Sequence, residues 1–139
     1  MQQIIVNQLP IMTMARMPRI LIVDDEESVA FIFQKALRRL INCETITSSR
    51  AEEALQLFQQ DPFDLLITDY QMPKMNGVAL VREIRHLSSS VPIIIITAFD
   101  DEALYRQTDQ LAIYRILRKP IDIVKLYRVV ATALPETKQ

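Results

Sequence analysis

Five short apolar runs, each closed by a polar residue and followed by a stretch of helical spacing, constrain this chain more than any other feature. Residues 19–23 are almost continuously apolar and stop abruptly at Asp24, as expected of a strand buried on both faces. Val29, Ile32, Phe33, Ala36, Leu37 and Leu40 then recur at three- and four-residue steps, one face of an amphipathic helix. Glu44 to Thr47 supplies a weaker second strand. Ser49 precedes Glu52 by three residues, a capping-box pattern, and the helix it opens carries Ala51, Ala54, Leu55 and Phe58 on one side. A third strand, Leu65 to Ile67, ends at Thr68 and Asp69. A loop with Pro73 and the turn signal Asn76-Gly77 follows, then a helix marked by Val78, Val81 and Ile84. Ile93 to Ile96 is the most strongly apolar run and ends at Thr97. Asp100 or Asp101 is placed to cap a fourth helix reaching to about Asp109. Ile113 to Leu117 reads as the fifth strand, ending at Arg118 and Lys119. Pro120 suits the first turn of a last helix, with Leu126, Val129, Val130 and Ala133 inward.

Strand and helix alternating five times imply βαβ units and a parallel sheet covered on both faces. The expected fold is an open, doubly wound α/β sandwich. At 139 residues there is room for one domain. Lys plus Arg (16) nearly cancels Asp plus Glu (17), so a broadly basic nucleic-acid-binding surface is not expected. No helix-turn-helix or basic stripe follows the sheet. No apolar run spans a bilayer and the opening residues lack the form of a secretory signal, so membrane attachment is not expected and a cytoplasmic location is. The single cysteine, Cys43, has no internal disulfide partner and reads as structural. Residues 1–18 read as a poorly ordered N-terminal extension, with Ile4, Ile5 and Val6 pairing with a sheet edge as the alternative. Residues 19–135 form the domain and 136–139 a tail.

Function is legible in where the polar residues fall. Open α/β sheets bind ligands beyond the carboxyl ends of their strands, where strand order reverses. Here those ends carry Asp24 and Asp25 (first strand), Asp69 (third), Thr97 (fourth) and Lys119 (fifth). Singly, each has an ordinary explanation: an acidic pair opening a helix, a loop aspartate, a β-branched strand residue, a solvated lysine. Together they converge on one pocket. Three close carboxylates repel unless a cation lies between them. Oxygen ligands without His or Cys favour Mg²⁺, Mn²⁺ or Ca²⁺ over zinc, and a small site that keeps several waters fits Mg²⁺ best. Lys119 offers a point charge to a phosphoryl oxygen and Thr97 a hydroxyl donor. Asp69 is then the carboxylate nucleophile, forming an acyl phosphate.

The segments ILIVDDEE, LLITDYQMPKMNG, IIIITA and RKP, in that order from Arg19 to about Ala133, resemble those of bacterial response-regulator receiver domains. The resemblance implies a five-stranded flavodoxin-like (βα)5 sheet. It also implies a phosphoryl group taken onto Asp69 from the phosphohistidine of a sensor histidine kinase or histidine phosphotransfer protein. Asp25, Asp69 and the backbone carbonyl of Gln71 would bind Mg²⁺ directly and Asp24 through water, while Thr97 and Lys119 contact the phosphoryl group. The Lys119-Pro120 bond is a candidate cis peptide. Three departures stand out. Ile116 occupies the position, three before Lys119, where the family usually has an aromatic side chain that switches on activation. Ala112 stands where a glycine is common, so the turn into the fifth strand is expected to be built differently. Gln71 and Phe99 flank the path of the attacking water and would set the lifetime of the phosphate.

The resulting expectation is a phosphorylation switch, not an enzyme with a separate substrate. Its output face is helix 4, strand 5 and helix 5, with Leu104, Tyr105, Tyr114, Lys125 and Arg128 as candidates; self-association through that face is left open. A haloacid-dehalogenase-type phosphatase would need a second acid two residues after Asp69, where this chain has Gln71, and room for a cap. A receiver working only as a binding module would ignore Asp69→Ala. His86, the only histidine, is expected at the exposed end of helix 3 with no phosphohistidine role.

Overall fold

The computed structural model describes residues 17–73, 76–98 and 102–134. Five strands form one parallel sheet: β1 (Arg19–Val23), β2 (Glu44–Ser48), β3 (Leu65–Asp69), β4 (Ile93–Thr97) and β5 (Arg115–Arg118), in the order β2-β1-β3-β4-β5. Helices α1 (Glu27–Leu40), α2 (Ala51–Gln60), α3 (Gly77–Leu87), α4 (Glu102–Thr108) and α5 (Ile123–Ala133) alternate with them. Chain order reverses between β1 and β3, which places the carboxyl ends of those central strands at the switch point.

The sheet divides the core in two. On one side Leu21, Val23, Leu66, Ile93 and Ile95 pack with Ala54 and Phe58 of α2, Val78, Val81 and Ile84 of α3, and Leu104 of α4. On the other, Ile20, Ile22, Ile67, Ile94 and Ile96 meet Phe33 and Leu37 of α1 and Leu126, Val129 and Val130 of α5. All five residues of β3 and of β4 are buried, whereas β5 buries only Leu117. Each fully buried aliphatic side chain contributes about 1.5–3 kcal/mol, so the central strands carry most of the sheet's stability and β5 little.

Several local expectations are corrected. Ile32 and Leu40 are exposed, and the buried stripe of α1 is Ala30, Phe33 and Leu37. The Ser49–Glu52 capping box does not form: α2 starts at Ala51 without a side-chain cap, and Ser48 Oγ instead lies 2.7 Å from Glu53 Oε1. Asn76 is not a turn residue but the cap of α3, its Oδ1 accepting from the Ala79 N–H at 2.8 Å. β5 begins at Arg115 rather than Ile113. Pro120 precedes α5, whose cap is Asp122 (Oδ1 to the Val124 N–H, 2.9 Å), and the Lys119-Pro120 peptide is cis. Ala112 has φ 54°, so the turn into β5 keeps the left-handed conformation in spite of the alanine. Leu104 is fully buried and belongs to the core, not to an output face; Tyr105 is exposed, and Tyr114 donates its hydroxyl to Thr132 Oγ1 at 2.9 Å. Ile4 to Val6, Phe99, Asp100, Asp101 and residues 136–139 lie outside the described residues. His86 is exposed, as expected.

Cys43 is buried among apolar side chains, its Sγ 3.8 Å from the Leu37 carbonyl, and burial raises its thiol pKa. It is therefore a poor nucleophile, consistent with a structural role. Among the described residues no helix is long and apolar enough to cross a membrane.

Candidate functional site

The three strands at the switch point deliver their polar residues to one place because each apolar run ends in register with its neighbours. Val23 pairs with Thr68, so Asp24 follows β1 at the level of Asp69. Asp69 pairs with Ile96, next to Thr97, and Thr97 pairs with Arg118, next to Lys119. Backbone hydrogen bonds extend the ladder past the strands. The Tyr70 N–H donates to Ile96 O and the Lys119 N–H to Thr97 O, both at 2.8 Å. The Asp24 N–H donates to Ser48 O at 3.1 Å.

One carboxylate oxygen from each of Asp24, Asp25 and Asp69 lies within 4.8 Å of the other two. Asp24 and Asp69 are buried (3% and 8% exposed) while Asp25 is open to solvent. Lys119 Nζ stands 3.4 Å from Asp69 Oδ1 and 4.0 Å from Asp24 Oδ2. Asp24 Oδ1 accepts from the Glu26 N–H at 2.9 Å, and Asp69 Oδ1 from the Tyr70 N–H at 3.0 Å.

These bonds do not offset the cost of crowding acids out of water. Burial, opposed by the Glu26 N–H and reinforced by the Asp69 charge, pushes Asp24 up to about 6. Asp69 is likewise raised, by burial first and with Asp25 adding to it, although the Lys119 ammonium pulls the other way. One ammonium against three carboxylates leaves the site short of positive charge. Its donor set is made wholly of hard oxygens, which is the chemistry that suits a small divalent cation.

The packing beneath the site is close. α3 starts directly under Asp69: the Gly77 N–H donates to Tyr70 O at 2.6 Å, and a Cβ on Gly77 would fall inside van der Waals contact with the Asp69 carbonyl. Asn76-Gly77 is thus a cap followed by a required close approach, and the residue pair alone signalled only a turn.

The structure brings together Asp24, Asp25, Asp69 and Lys119, with Thr97 buried at the strand end between the last two. Gln71 is exposed in the loop just after β3. Two features of the site's support escaped the sequence reading: the Gly77 approach and the Glu26 N–H on Asp24. The acidic run 24–27 drew attention to side chains, and the amide donor had no pattern of its own.

Residues 20–131 match the model of the response regulator receiver domain, and the chain belongs to that family, the receivers of two-component signalling. It is 33% identical over 114 residues to the response regulator protein PilR of Pseudomonas aeruginosa, covering 82% of this chain and 25% of PilR. It is 30% identical to a probable chemotaxis protein CheY of Rhizobium etli, covering 83% of this chain and 91% of the relative. Among solved structures, Vibrio cholerae chemotaxis protein CheY4 superposes with a TM-score of 0.80 at 26% identity, covering 86% of this chain and all of the other. The chain therefore spans about a quarter of PilR and nearly the whole length of the CheY relative.

Proposed function

We propose that Asp69 is the phosphoacceptor, that Asp24, Asp25, Asp69 and the Gln71 carbonyl hold Mg²⁺, and that Thr97 and Lys119 contact the incoming phosphoryl group. The observation that carries this reading is the 3.4 Å approach of Lys119 Nζ to a buried Asp69 carboxylate inside a cluster of three acids. Bound there, Mg²⁺ would keep the acids ionised and balance charge on the phosphoryl oxygens.

The chain's own residues supply the rest. A carboxylate oxygen of Asp69 attacks the phosphorus of a phosphohistidine, the P–N bond breaks, and the imidazole leaves with its electron pair. Lys119, already against Asp69 Oδ1, steadies negative charge on the transferred group. Thr97, at the end of the neighbouring strand, offers its hydroxyl to a phosphoryl oxygen. The donor is a sensor histidine kinase or a histidine phosphotransfer protein, since response regulators work with histidine kinases. Gln71, exposed two residues beyond Asp69, is placed to influence hydrolysis of the acyl phosphate.

The added charge would be read on the face made by α4, β5 and α5. There Tyr105, Tyr114, Lys125 and Arg128 are exposed, and Ile116 is partly buried against the core on the α4 side. Output through that face is either to another protein or to a second copy.

The test is incubation with acetyl phosphate, with and without Mg²⁺, read by intact mass beside Asp69→Ala. A single Mg²⁺-dependent phosphoryl adduct, missing in the variant, is expected. A folded protein that binds Mg²⁺ yet gains no adduct from acetyl phosphate or from any phosphorylated histidine donor would instead indicate a phosphorylation-independent binding module.

A further inference from the structure

The strands that lead to Thr97 and Lys119 are tethered at their opposite ends by one side chain. Arg85, in the last turn of α3, donates from Nε to the Leu111 carbonyl at 2.7 Å and from Nη2 to the Ala112 carbonyl at 3.0 Å. Its Nη1 donates to the carbonyls of Ser88 (3.1 Å) and Val91 (2.7 Å). Ser88 and Val91 lead into β4; Leu111 and Ala112 form the turn into β5. Among the described residues no carboxylate pairs with this guanidinium. Its planar fork is instead filled by main-chain oxygens of two loops, an arrangement that fixes backbone rather than binding a ligand.

β5 requires such fixing. It lies at the sheet edge, has four residues and buries one of them. A slip of one residue against β4 would exchange the faces of Ile116 and Leu117 and carry Lys119 off Asp69. The turn before it holds Ala112 at φ 54°, a conformation that disfavours any residue with a Cβ. Beyond the strand pairing itself, main-chain bonds close both ends, from Tyr114 N–H to Ile93 O and from Lys119 N–H to Thr97 O, each 2.8 Å.

We propose that Arg85 is a positioning residue for Thr97 and Lys119. By locking the approaches to β4 and β5, it sets where those two strands end, without touching the acids carried by β1 and β3. This rests on the phosphoacceptor reading above for its catalytic consequence, while the clamp itself is a property of the fold.

The full chain, Arg85→Gln and Arg85→Lys are compared by amide hydrogen exchange, Mg²⁺ calorimetry and the rate of adduct formation with acetyl phosphate. In Arg85→Gln the Tyr114 and Lys119 amides should exchange at least about tenfold faster, with those of Asp24 and Glu44, bonded on the β1–β2 side to Ser48 O and Pro18 O, unchanged. Mg²⁺ affinity should stay within about twofold while adduct formation slows about tenfold, with partial recovery in Arg85→Lys. Adding Ala112→Gly to Arg85→Gln should restore part of the rate, because glycine adopts the turn without restraint. Unchanged exchange and rate, or a rate that falls only in step with Mg²⁺ affinity, would overturn the proposal. If the parent chain binds Mg²⁺ but forms no adduct, the phosphoacceptor reading fails on its own, and the exchange of Tyr114 and Lys119 still decides whether the clamp exists.

Discussion

The two ends of the sheet handle charge in opposite ways. At the amino ends, Arg19 is almost completely accommodated. Its guanidinium lies 4.3 Å above the Phe63 ring, pairs with Glu44 Oε1 and Asp61 Oδ2 at 3.2 Å each, and donates to Pro62 O at 2.9 Å. Its backbone N–H meets Asp64 Oδ2 at 2.8 Å, and the Asp64 N–H returns a bond to Arg19 O at 2.8 Å. At the carboxyl ends, Asp24 and Asp69 are buried beside Asp25 with a single lysine between them, and both are pushed toward protonation. The first arrangement stabilises the fold; the second lowers stability and provides a site. A domain can carry the second because the first and the central strands hold it together.

Substitutions at the two ends should therefore have opposite signs. Arg19→Ala should lower unfolding free energy by about 2–3 kcal/mol, since it removes a stacked, nearly buried side chain together with its bonds to two loop carbonyls and its pairs with two half-exposed carboxylates. Urea denaturation of the metal-free protein measures this, and a loss below about 1 kcal/mol would erase the contrast. Asp24→Asn should raise the stability of the metal-free protein at pH 7 by about 2–3 kcal/mol, following from a shift of 3.8 to about 6. The folded carboxyl holds its proton more tightly than the unfolded one. The destabilisation is thus complete above pH about 6 and fades as pH falls toward 4, so the parent chain should gain stability on that descent and Asp24→Asn should gain less. Saturating Mg²⁺ should flatten the dependence by giving the ionised acids a partner. The smallest effect is expected at the β5 turn: Ala112→Gly should stabilise by about 1 kcal/mol, read as a rise in thermal midpoint.

The same contrast explains what could be read from the chain beforehand. β1, β3 and β4 are buried on both faces, so their sequences are continuous apolar runs with unmistakable ends, and the residues at those ends announce the site. β5 lies at the edge with Leu117 alone buried, so its apolar residues do not mark its limits and its start was placed two residues early. On α1, spacing could not distinguish Phe33 from its neighbour Ile32, because each fits a helical stripe; packing under the sheet selects Phe33, and small Ala30 joins it. The position of Leu104 on its helix suggests the surface, yet it fills the space left beside β4. Neither Arg19 nor Arg85 stands out in the sequence. Their partners are 25 to 45 residues and 3 to 27 residues away respectively, and most are main-chain carbonyls that carry no sequence signature.

The chain has one glycine and seven prolines. An unfolded chain so short of glycine samples fewer backbone states than most of its length, and folding it removes correspondingly less disorder. That advantage extends over the whole sequence except at Gly77, where the close approach to the Asp69 carbonyl excludes every other residue. In a directed-evolution experiment selecting for heat resistance, replacement of glycine by alanine would thus have little left to offer. The single glycine would be the position that never changes, because relieving the denatured chain's freedom there would push away the end of β3 that carries Asp69.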